Sequence, residues 1–219
     1  MIMQQVETGL VQLNNYYFIW RHGESEANVA EVIVSKPENG IAQWGLTDTG
    51  IEQVRRSATI VSRLSRILDH KSLIYTSPFL RCVQTAEELA QVIGVPTALT
   101  ANELRERDFG TFEGKHADRY GQVYQLDRAY PGHNFFDVES TDSVSARVTD
   151  FVNRLEELYQ DKVIILVTHA DVGEILQASF YGIPSWKHRR LLPKLNCSSP
   201  VNLRYRRRGE RVKTTCWKR

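Results

Sequence analysis

The sequence predicts an α/β fold built around a mostly parallel sheet. Strand-like and helix-like segments alternate along the 219 residues, which is typical of βαβ units. Residues 163–167 are apolar at every position, as expected for a strand that is buried on both faces. Since no internal repeat and no Ser/Gly-rich linker interrupts the alternation, we expect a single domain over residues 1–219.

Five segments have the composition of strands, and four stretches carry apolar residues at helical spacing. The expected strands are 16–20, 72–77, 96–100, 163–167 and 200–205. The expected helices are 51–68, 86–93, 144–159 and 172–180. Pro78 ends the second strand, and Gly94 and Gly182 each follow a helix, as glycines at helix ends do.

The segment 112–142 breaks this alternation, because it is polar and aromatic and contains Pro131-Gly132. Long irregular segments in compact domains are often lids or binding loops, so we expect a short cap over a site. The alternative is an ordinary surface excursion that is packed by its own aromatic side chains. The loop 28–44 is a second candidate wall.

Charge is distributed unevenly along the chain. The formal net charge is +2, but residues 204–219 contain eight Lys or Arg and one acid, Glu210. We expect a solvated edge strand and a basic tail, because basic residues discourage edge pairing. The alternative is a patch for an anionic partner, such as nucleic acid or acidic lipid.

Composition argues against several classes of protein. No apolar run reaches the length of about 18 residues that a membrane span requires, and the N-terminal residues lack the pattern of a secretory signal. Three scattered cysteines favour a reducing compartment over a disulfide framework, so we expect a cytoplasmic protein. Neither Cys-x-x-Cys nor His-x-x-x-His spacing occurs, so we expect no structural zinc site.

Charged and basic side chains follow the ends of the expected strands. Arg21 and His22 directly follow the first strand, and His169 follows the buried one. Arg81 lies soon after the second strand, and Glu106 lies after the third. Because the carboxyl ends of parallel strands meet at one edge of a sheet, we expect these side chains to converge.

These residue types suit the transfer of a phosphoryl group. Arg offers a planar fork of donors to phosphoryl oxygens, and a neutral imidazole can attack phosphorus near pH 7. A carboxylic acid can protonate the leaving oxygen and then accept a proton from the attacking water. Because two arginines and a second imidazole would neutralise the transferred charge, the chemistry needs no metal.

Five motifs occur in one order along the chain. They are RHGESEAN at 21–28, LTDTGIEQ at 46–53, SPFLRCVQTA at 77–86, LRE at 104–106 followed by Gly110 and Gly114, and ES at 139–140 followed by Val144 and Arg147-Val148. Together they resemble the motifs of the histidine phosphatase superfamily, in its phosphoglycerate-mutase-like branch. The resemblance implies a three-layer α/β/α sandwich, the phosphoglycerate-mutase-like fold, and chemistry without a metal or an organic cofactor.

The resemblance also implies a role for each matching residue. His22 is expected to be the phosphorylated nucleophile, and Glu106 the proton donor. The groups expected to bind the phosphoryl group are Arg21, Asn28, Arg81, His169 and the backbone N–H of Ala170. Glu103 and Asp108 remain alternatives to Glu106 as the donor. Secondary candidates for contact with the rest of the substrate are Lys115, His116, Arg119 and His133.

Asp171 departs from the family pattern, which often has glycine just after the second histidine. A negative charge beside an anion site is unfavourable unless it points away or is paired with Arg or His. We expect Asp171 to cap the helix that follows His169.

The length of the cap bears on which reaction occurs. Residues 114–138 contain no Arg-Arg pair, whereas the resembling phosphoglycerate mutases carry a longer insertion with such a pair. We therefore expect a histidine acid phosphatase-type enzyme, similar to the short-cap phosphatases, that hydrolyses phosphomonoesters through a phosphohistidine. The alternatives are mutase-type isomerisation and a catalytically silent module that binds a phosphorylated ligand. We expect a phosphorylated small-molecule substrate, and the aromatic cap with few cations predicts modest charge beyond the reacting phosphate.

Overall fold

The computed structural model describes residues 13–65 and 67–203. The strands in this part of the chain are β1 (Tyr16–Arg21), β2 (Leu73–Thr76), β3 (Ala98–Thr100), β4 (Val163–Thr168) and β5 (Pro200–Leu203). They form one sheet in the order β3-β2-β4-β1-β5. β5 runs antiparallel to β1, and the other neighbours are parallel, so the predicted mostly parallel sheet is confirmed.

Eight α-helices surround the sheet in the described residues. They are α1 (Glu26–Val29), α2 (Pro37–Gly40), α3 (Asp48–Ser65), α4 (Leu80–Ile93), α5 (Tyr120–Ala129), α6 (Thr141–Leu158), α7 (Ala170–Phe180) and α8 (His188–Leu191). Short 3₁₀ helices lie at Asn102–Leu104, Gly110–Phe112, Ala117–Arg119, Phe135–Asp137 and Ser185–Lys187. None of the helices described is both long enough and apolar enough to cross a membrane.

Alternating side chains of the strands supply two separate hydrophobic cores. Phe18 and Trp20 pack with the apolar faces of α3 and α4 on one side of the sheet. Tyr17 and Ile19 pack with α6 and α7 on the other side. β4 contributes to both cores because its side chains are buried on both faces. The resulting helix–sheet–helix arrangement confirms the predicted three-layer α/β/α sandwich.

The predicted elements occur with modest changes in their bounds. The helix expected over residues 51–68 ends at Ser65, and α4 begins at Leu80, six residues before the expected start. The predicted basic tail at 204–219 lies outside the described residues.

The segment 112–142 is more regular than the sequence indicates, because it contains α5 and the start of α6. Its periodicity is hidden because Asp127 occupies a buried position on α5 where an apolar residue is usual. Val123 and Phe112 pack with Ile33 and Phe109 in a small separate core. The segment therefore packs partly against residues outside it, and it contributes two tyrosines to the cavity described next.

Candidate active site

The candidate residues lie at the carboxyl ends of three neighbouring strands. β1 ends at Arg21, which is paired in register with Thr168 at the end of β4. His22 and His169 are the next residues along each strand. β2 ends at Thr76 beside β4, and Arg81 follows in the first turn of α4. The parallel register thus brings together side chains that are far apart in the sequence.

Gly23 is required by close packing at the turn after β1. A Cβ at this position would lie 2.6 Å from the Gly50 carbonyl oxygen and 3.0 Å from the Val54 side chain. The Gly23 N–H also donates to Thr85 Oγ1 at 3.1 Å. The turn that carries His22 is therefore fixed against α3 and α4.

His22 has the tautomer and charge of a nucleophile. Its ring is 3% exposed, and Nδ1 lies 2.7 Å from the Gly23 carbonyl oxygen, so Nδ1 carries the proton. Nε2 then keeps its lone pair, which accepts from Arg81 Nε at 3.2 Å. Burial, followed by the charges of Arg81 and Arg21, holds the pKa of His22 well below its usual range. The neutral ring with a lone pair on Nε2 is the form that attacks phosphorus.

His169 is buried beside His22, with 5.4 Å between the ring centroids. Its Nδ1 accepts from an Arg81 terminal nitrogen at 3.0 Å, so Nε2 carries the proton and donates to Ser77 Oγ at 2.9 Å. Burial, followed by the charge of Arg81, lowers the pKa of His169 well below its usual range. His169 is not among the residues that line the cavity described below, and its contact with Arg81 helps to orient that guanidinium. Direct binding of the phosphoryl group by His169 stays a prediction.

Two guanidinium groups present buried N–H donors without acceptors. Arg81 Nη1 and Arg21 Nε have no hydrogen-bond partner among the described residues. One terminal nitrogen of each group is held in place, because Arg81 Nη2 donates to the Val34 carbonyl at 2.9 Å and Arg21 Nη1 donates to the Leu195 carbonyl at 2.8 Å. Because an unpaired buried donor is costly, this arrangement favours binding of an anion.

Glu106 is positioned beside His169 and Arg81. Its Oε2 lies 3.4 Å from His169 Nδ1 and 3.7 Å from Arg81 Nη2, while Oε1 accepts from the Arg107 N–H at 3.0 Å. Burial, with a smaller contribution from the charge of Asp171, raises the pKa of Glu106 to about 7 despite the lowering effect of Arg81. A carboxyl group with this pKa can both donate and accept a proton near neutrality.

The two alternatives to Glu106 point elsewhere. Glu103 forms an ion pair with Arg154 on α6. Asp108 Oδ1 accepts from the Gly110 N–H at 2.7 Å, which holds it in a turn. Neither residue lines the cavity that contains Glu106.

A cavity of about 340 Å³ connects these groups. Its wall includes Arg21, His22, Arg81 and Glu106, together with Asn28 and Ala170. Asn28 Oδ1 accepts from the Ser25 N–H at 3.1 Å, which leaves its amide N–H groups available. Ala170 is the first residue of α7, so its N–H belongs to a helix N-terminus, where anions bind favourably.

The cavity wall also includes two aromatic side chains from the expected cap and two cations that the sequence analysis did not identify. They are Tyr120, Tyr124, Arg189 and Lys194. The Arg189 guanidinium lies 3.8 Å from the centre of the Tyr124 ring. The expectation of few cations near the aromatic cap is therefore wrong, because Arg189 and Lys194 reach the cavity from the chain after α7.

The secondary candidates for substrate contact do not line the cavity. His116 is exposed and lies 3.0 Å from Glu31. His133 is buried, with Nε2 3.1 Å from Asp127 Oδ1. Lys115 and Arg119 are both exposed.

Asp171 does not cap α7, and that prediction is wrong. His169 is the N-cap residue, and Asp171 points into a buried ion-pair cluster. Its carboxylate lies 3.1 Å from Arg107, 3.0 Å from Arg189 and 2.9 Å from His188. Although burial opposes ionisation, these cations, with Arg189 contributing most, hold the pKa of Asp171 well below its usual range. The charge near the anion site is thereby neutralised.

Arg107 ties α5 to the body of the fold. Its side chain is 0% exposed and lies 2.7 Å from Asp127 on α5, besides its contact with Asp171 on α7.

Ligand atoms of Asp171, Glu174 and His188 lie within 4.8 Å of one another, a spacing that could hold a metal ion. The Arg189 guanidinium already pairs with both carboxylates, so the donor set fits an arginine rather than a metal.

Comparisons with known proteins agree with this geometry. The family model described as histidine phosphatase superfamily (branch 1) matches residues 17–218. The probable phosphoglycerate mutase GpmB of Citrobacter koseri is 30% identical over 83% of this chain and 81% of its own length. The alpha-ribazole phosphatase of Shigella flexneri is 26% identical, with a TM-score of 0.66 over 85% of this chain and 89% of that chain.

A further relative, the agropine synthesis reductase of Rhizobium rhizogenes, is 29% identical over 76% of this chain. The match spans only 35% of that reductase. The family match and the relatives named as a mutase and a phosphatase support phosphoryl transfer in general. The chain belongs to the histidine phosphatase superfamily, branch 1.

Proposed function

We propose that this protein hydrolyses phosphomonoesters of small molecules through a phosphohistidine at His22, without a metal. The observation that carries the proposal is the pairing of a neutral imidazole with buried donors. His22, Arg21 and Arg81 line one cavity. His22 Nε2 has a lone pair, and each of the two arginines has a buried guanidinium N–H without a partner among the described residues. A nucleophile and the charge-stabilising groups for phosphoryl oxygens thus occupy one site.

In the first step, His22 Nε2 attacks phosphorus and the P–N bond forms as the ester P–O bond breaks. The phosphoryl oxygens accept hydrogen bonds from the N–H groups of Arg21 and Arg81. One of these is the Arg81 Nε–H, which donates to His22 Nε2 in the free protein. The protonated Glu106 gives its proton to the leaving oxygen, which departs as an alcohol. The Nδ1–H bond to the Gly23 carbonyl stabilises the positive ring that forms.

In the second step, water attacks phosphorus and the carboxylate of Glu106 accepts a proton from it. The P–N bond breaks, its electrons return to Nε2, and inorganic phosphate leaves with neutral His22 restored. Because the pKa of Glu106 is about 7, one group serves both steps without a large energetic penalty in either.

Release of phosphate from p-nitrophenyl phosphate tests the proposal directly. His22→Ala should remove activity, whereas His70→Ala, which changes an exposed histidine outside the cavity, should leave it unchanged. The mutase alternative is tested in parallel with 3-phosphoglycerate and a catalytic amount of bisphosphoglycerate. Fast isomerisation with slow phosphate release would show that the protein is a mutase rather than a hydrolase. Absence of both reactions would favour a module that only binds a phosphorylated ligand.

A further inference from the structure

A second cavity adjoins the candidate active site on the far side of Tyr124 and Arg189. It has a volume of about 420 Å³, and Tyr124 and Arg189 form part of the wall of both cavities. The rest of its wall comes from α5 and from residues 186–190, including Arg128, Trp186 and Arg190. We call the space bounded by these five residues the outer groove. It continues into a further hollow along Arg128, Trp186 and Arg190.

The outer groove carries excess positive charge. Arg128 and Arg190 are exposed, and neither forms an ion pair within the described part of the chain. The acid in the wall, Asp127, does not offset them, because it forms an ion pair with Arg107 at 2.7 Å. The charge of Arg189 is already matched by Asp171 and Glu174. The groove therefore suits an anion that contacts Arg128 and Arg190.

The groove also offers flat, partly apolar surfaces between its cations. The Trp186 indole is half-buried, and the Tyr124 ring is held under Arg189 at 3.8 Å. The Arg189 side chain is itself fixed by two carboxylates, so this boundary between the two cavities is rigid. A chain or ring that passes from the phosphoryl site over Tyr124 would find a preformed surface.

We propose that the outer groove binds an anionic group at the far end of the substrate's leaving group. The substrate class is then a phosphomonoester of an extended alcohol that carries a carboxylate at its far end. This inference rests on the proposed function, because the reacting phosphate must occupy the cavity beside His22. Trp186 and Tyr124 contact the portion between the two anionic ends.

The experiment uses the full chain and two matched series of substrates. One series contains phosphate esters of ω-hydroxy carboxylic acids of increasing chain length, and the other contains the uncharged alcohol esters of the same lengths. We expect kcat/KM to be higher for the carboxylates only beyond a threshold length, by about tenfold, the size of a pair of partly exposed charge-assisted contacts. p-Nitrophenyl phosphate, which has no distal anion, serves as the reference.

The variant Arg128→Ala/Arg190→Ala should abolish the preference for long carboxylates by raising KM. Its kcat and its activity on p-nitrophenyl phosphate should not change. The variant loses contacts that bind the far end of the substrate equally well in the ground state and in the transition state. The matched control is Arg56→Ala/Arg63→Ala, which removes two exposed arginines from α3 and should leave every rate unchanged.

The outcomes separate this inference from the proposed function. Hydrolysis of p-nitrophenyl phosphate without any carboxylate preference in the wild-type protein would overturn the inference and leave the function standing. A free ω-hydroxy carboxylate is the product of these esters and should inhibit p-nitrophenyl phosphate hydrolysis competitively. If it instead raises kcat for p-nitrophenyl phosphate only when Arg128 and Arg190 are present, the inference is overturned in favour of a separate effector site. Absence of hydrolysis with every ester would overturn the proposed function itself.

Discussion

Replacement of Glu106 by glutamine tests whether this carboxyl group moves the proton. In the structure, burial raises the pKa of Glu106 from an ordinary 4.5 to about 7. At pH 7 about half of the molecules then hold the proton, against roughly 0.3% for an unperturbed carboxyl group. Positioned proton transfer typically contributes about 10²–10⁴ in rate. We therefore expect Glu106→Gln to lower kcat for an alkyl phosphate by roughly 10²–10³.

The pH profile and the leaving group make this prediction specific. In the wild-type protein, kcat/KM for an alkyl phosphate should fall about tenfold per pH unit above pH 7, because the first step needs the protonated form. Glu106→Gln should lose this alkaline limb. The loss in kcat/KM, which reports formation of the phosphohistidine, should be much smaller for p-nitrophenyl phosphate, because p-nitrophenolate leaves without help from a proton. An unchanged alkaline limb in the variant, or equal losses in kcat/KM for the two substrates, would refute the role of Glu106.

Three further predictions concern stability and packing. Folding raises the pKa of Glu106, so its protonated form stabilises the native state. As the pH rises from 4.5 to 7, the free energy of unfolding of the wild-type protein should therefore fall, by at most about 3 kcal/mol. Urea unfolding at several pH values should show no such fall for Glu106→Gln, and parallel curves for the two proteins would contradict the burial argument. Asp127→Ala removes the closest anionic partner of the fully buried Arg107. Because Arg107 keeps its contact with Asp171, the cost should be that of buried donors left unpaired, about 1–3 kcal/mol. Stability equal to that of the wild type in the same assay would show that Arg107 does not anchor α5. Gly23→Ala places a Cβ 2.6 Å from a backbone oxygen. It should lower the free energy of unfolding by about 1–3 kcal/mol and lower kcat by displacing His22. A Tm and a kcat equal to those of the wild type would disprove the close contact.

The topology explains why much of the site could be predicted from the sequence. In a parallel sheet every strand ends at the same edge, so a polar residue just after a buried strand is placed without knowledge of side-chain contacts. The register that pairs Arg21 with Thr168 puts His22 and His169 at one level. Gly23 signals a close approach of the backbone, which the structure shows against α3.

The rest of the site depends on contacts between distant segments. Arg189 reaches the cavity because it pairs with Asp171 and Glu174, and no local pattern in the sequence reveals this. The expectation for Asp171 was wrong because N-capping is a local rule, whereas one partner of Asp171, Arg107, lies 64 residues away. The helix α5 was missed because Asp127 is buried by an ion pair rather than by hydrophobicity, so the apolar spacing is interrupted.

The central claim is that His22 becomes covalently phosphorylated during turnover. It is tested most directly by mixing the protein with a phosphate ester, stopping the reaction with base after a few milliseconds, and locating added phosphate by mass spectrometry. The account predicts a phosphoryl group on Nε2 of His22 that is lost in acid and that accumulates in Glu106→Gln with p-nitrophenyl phosphate, because the attacking water then lacks its base. Turnover at full rate with no phosphate on this histidine would contradict the account.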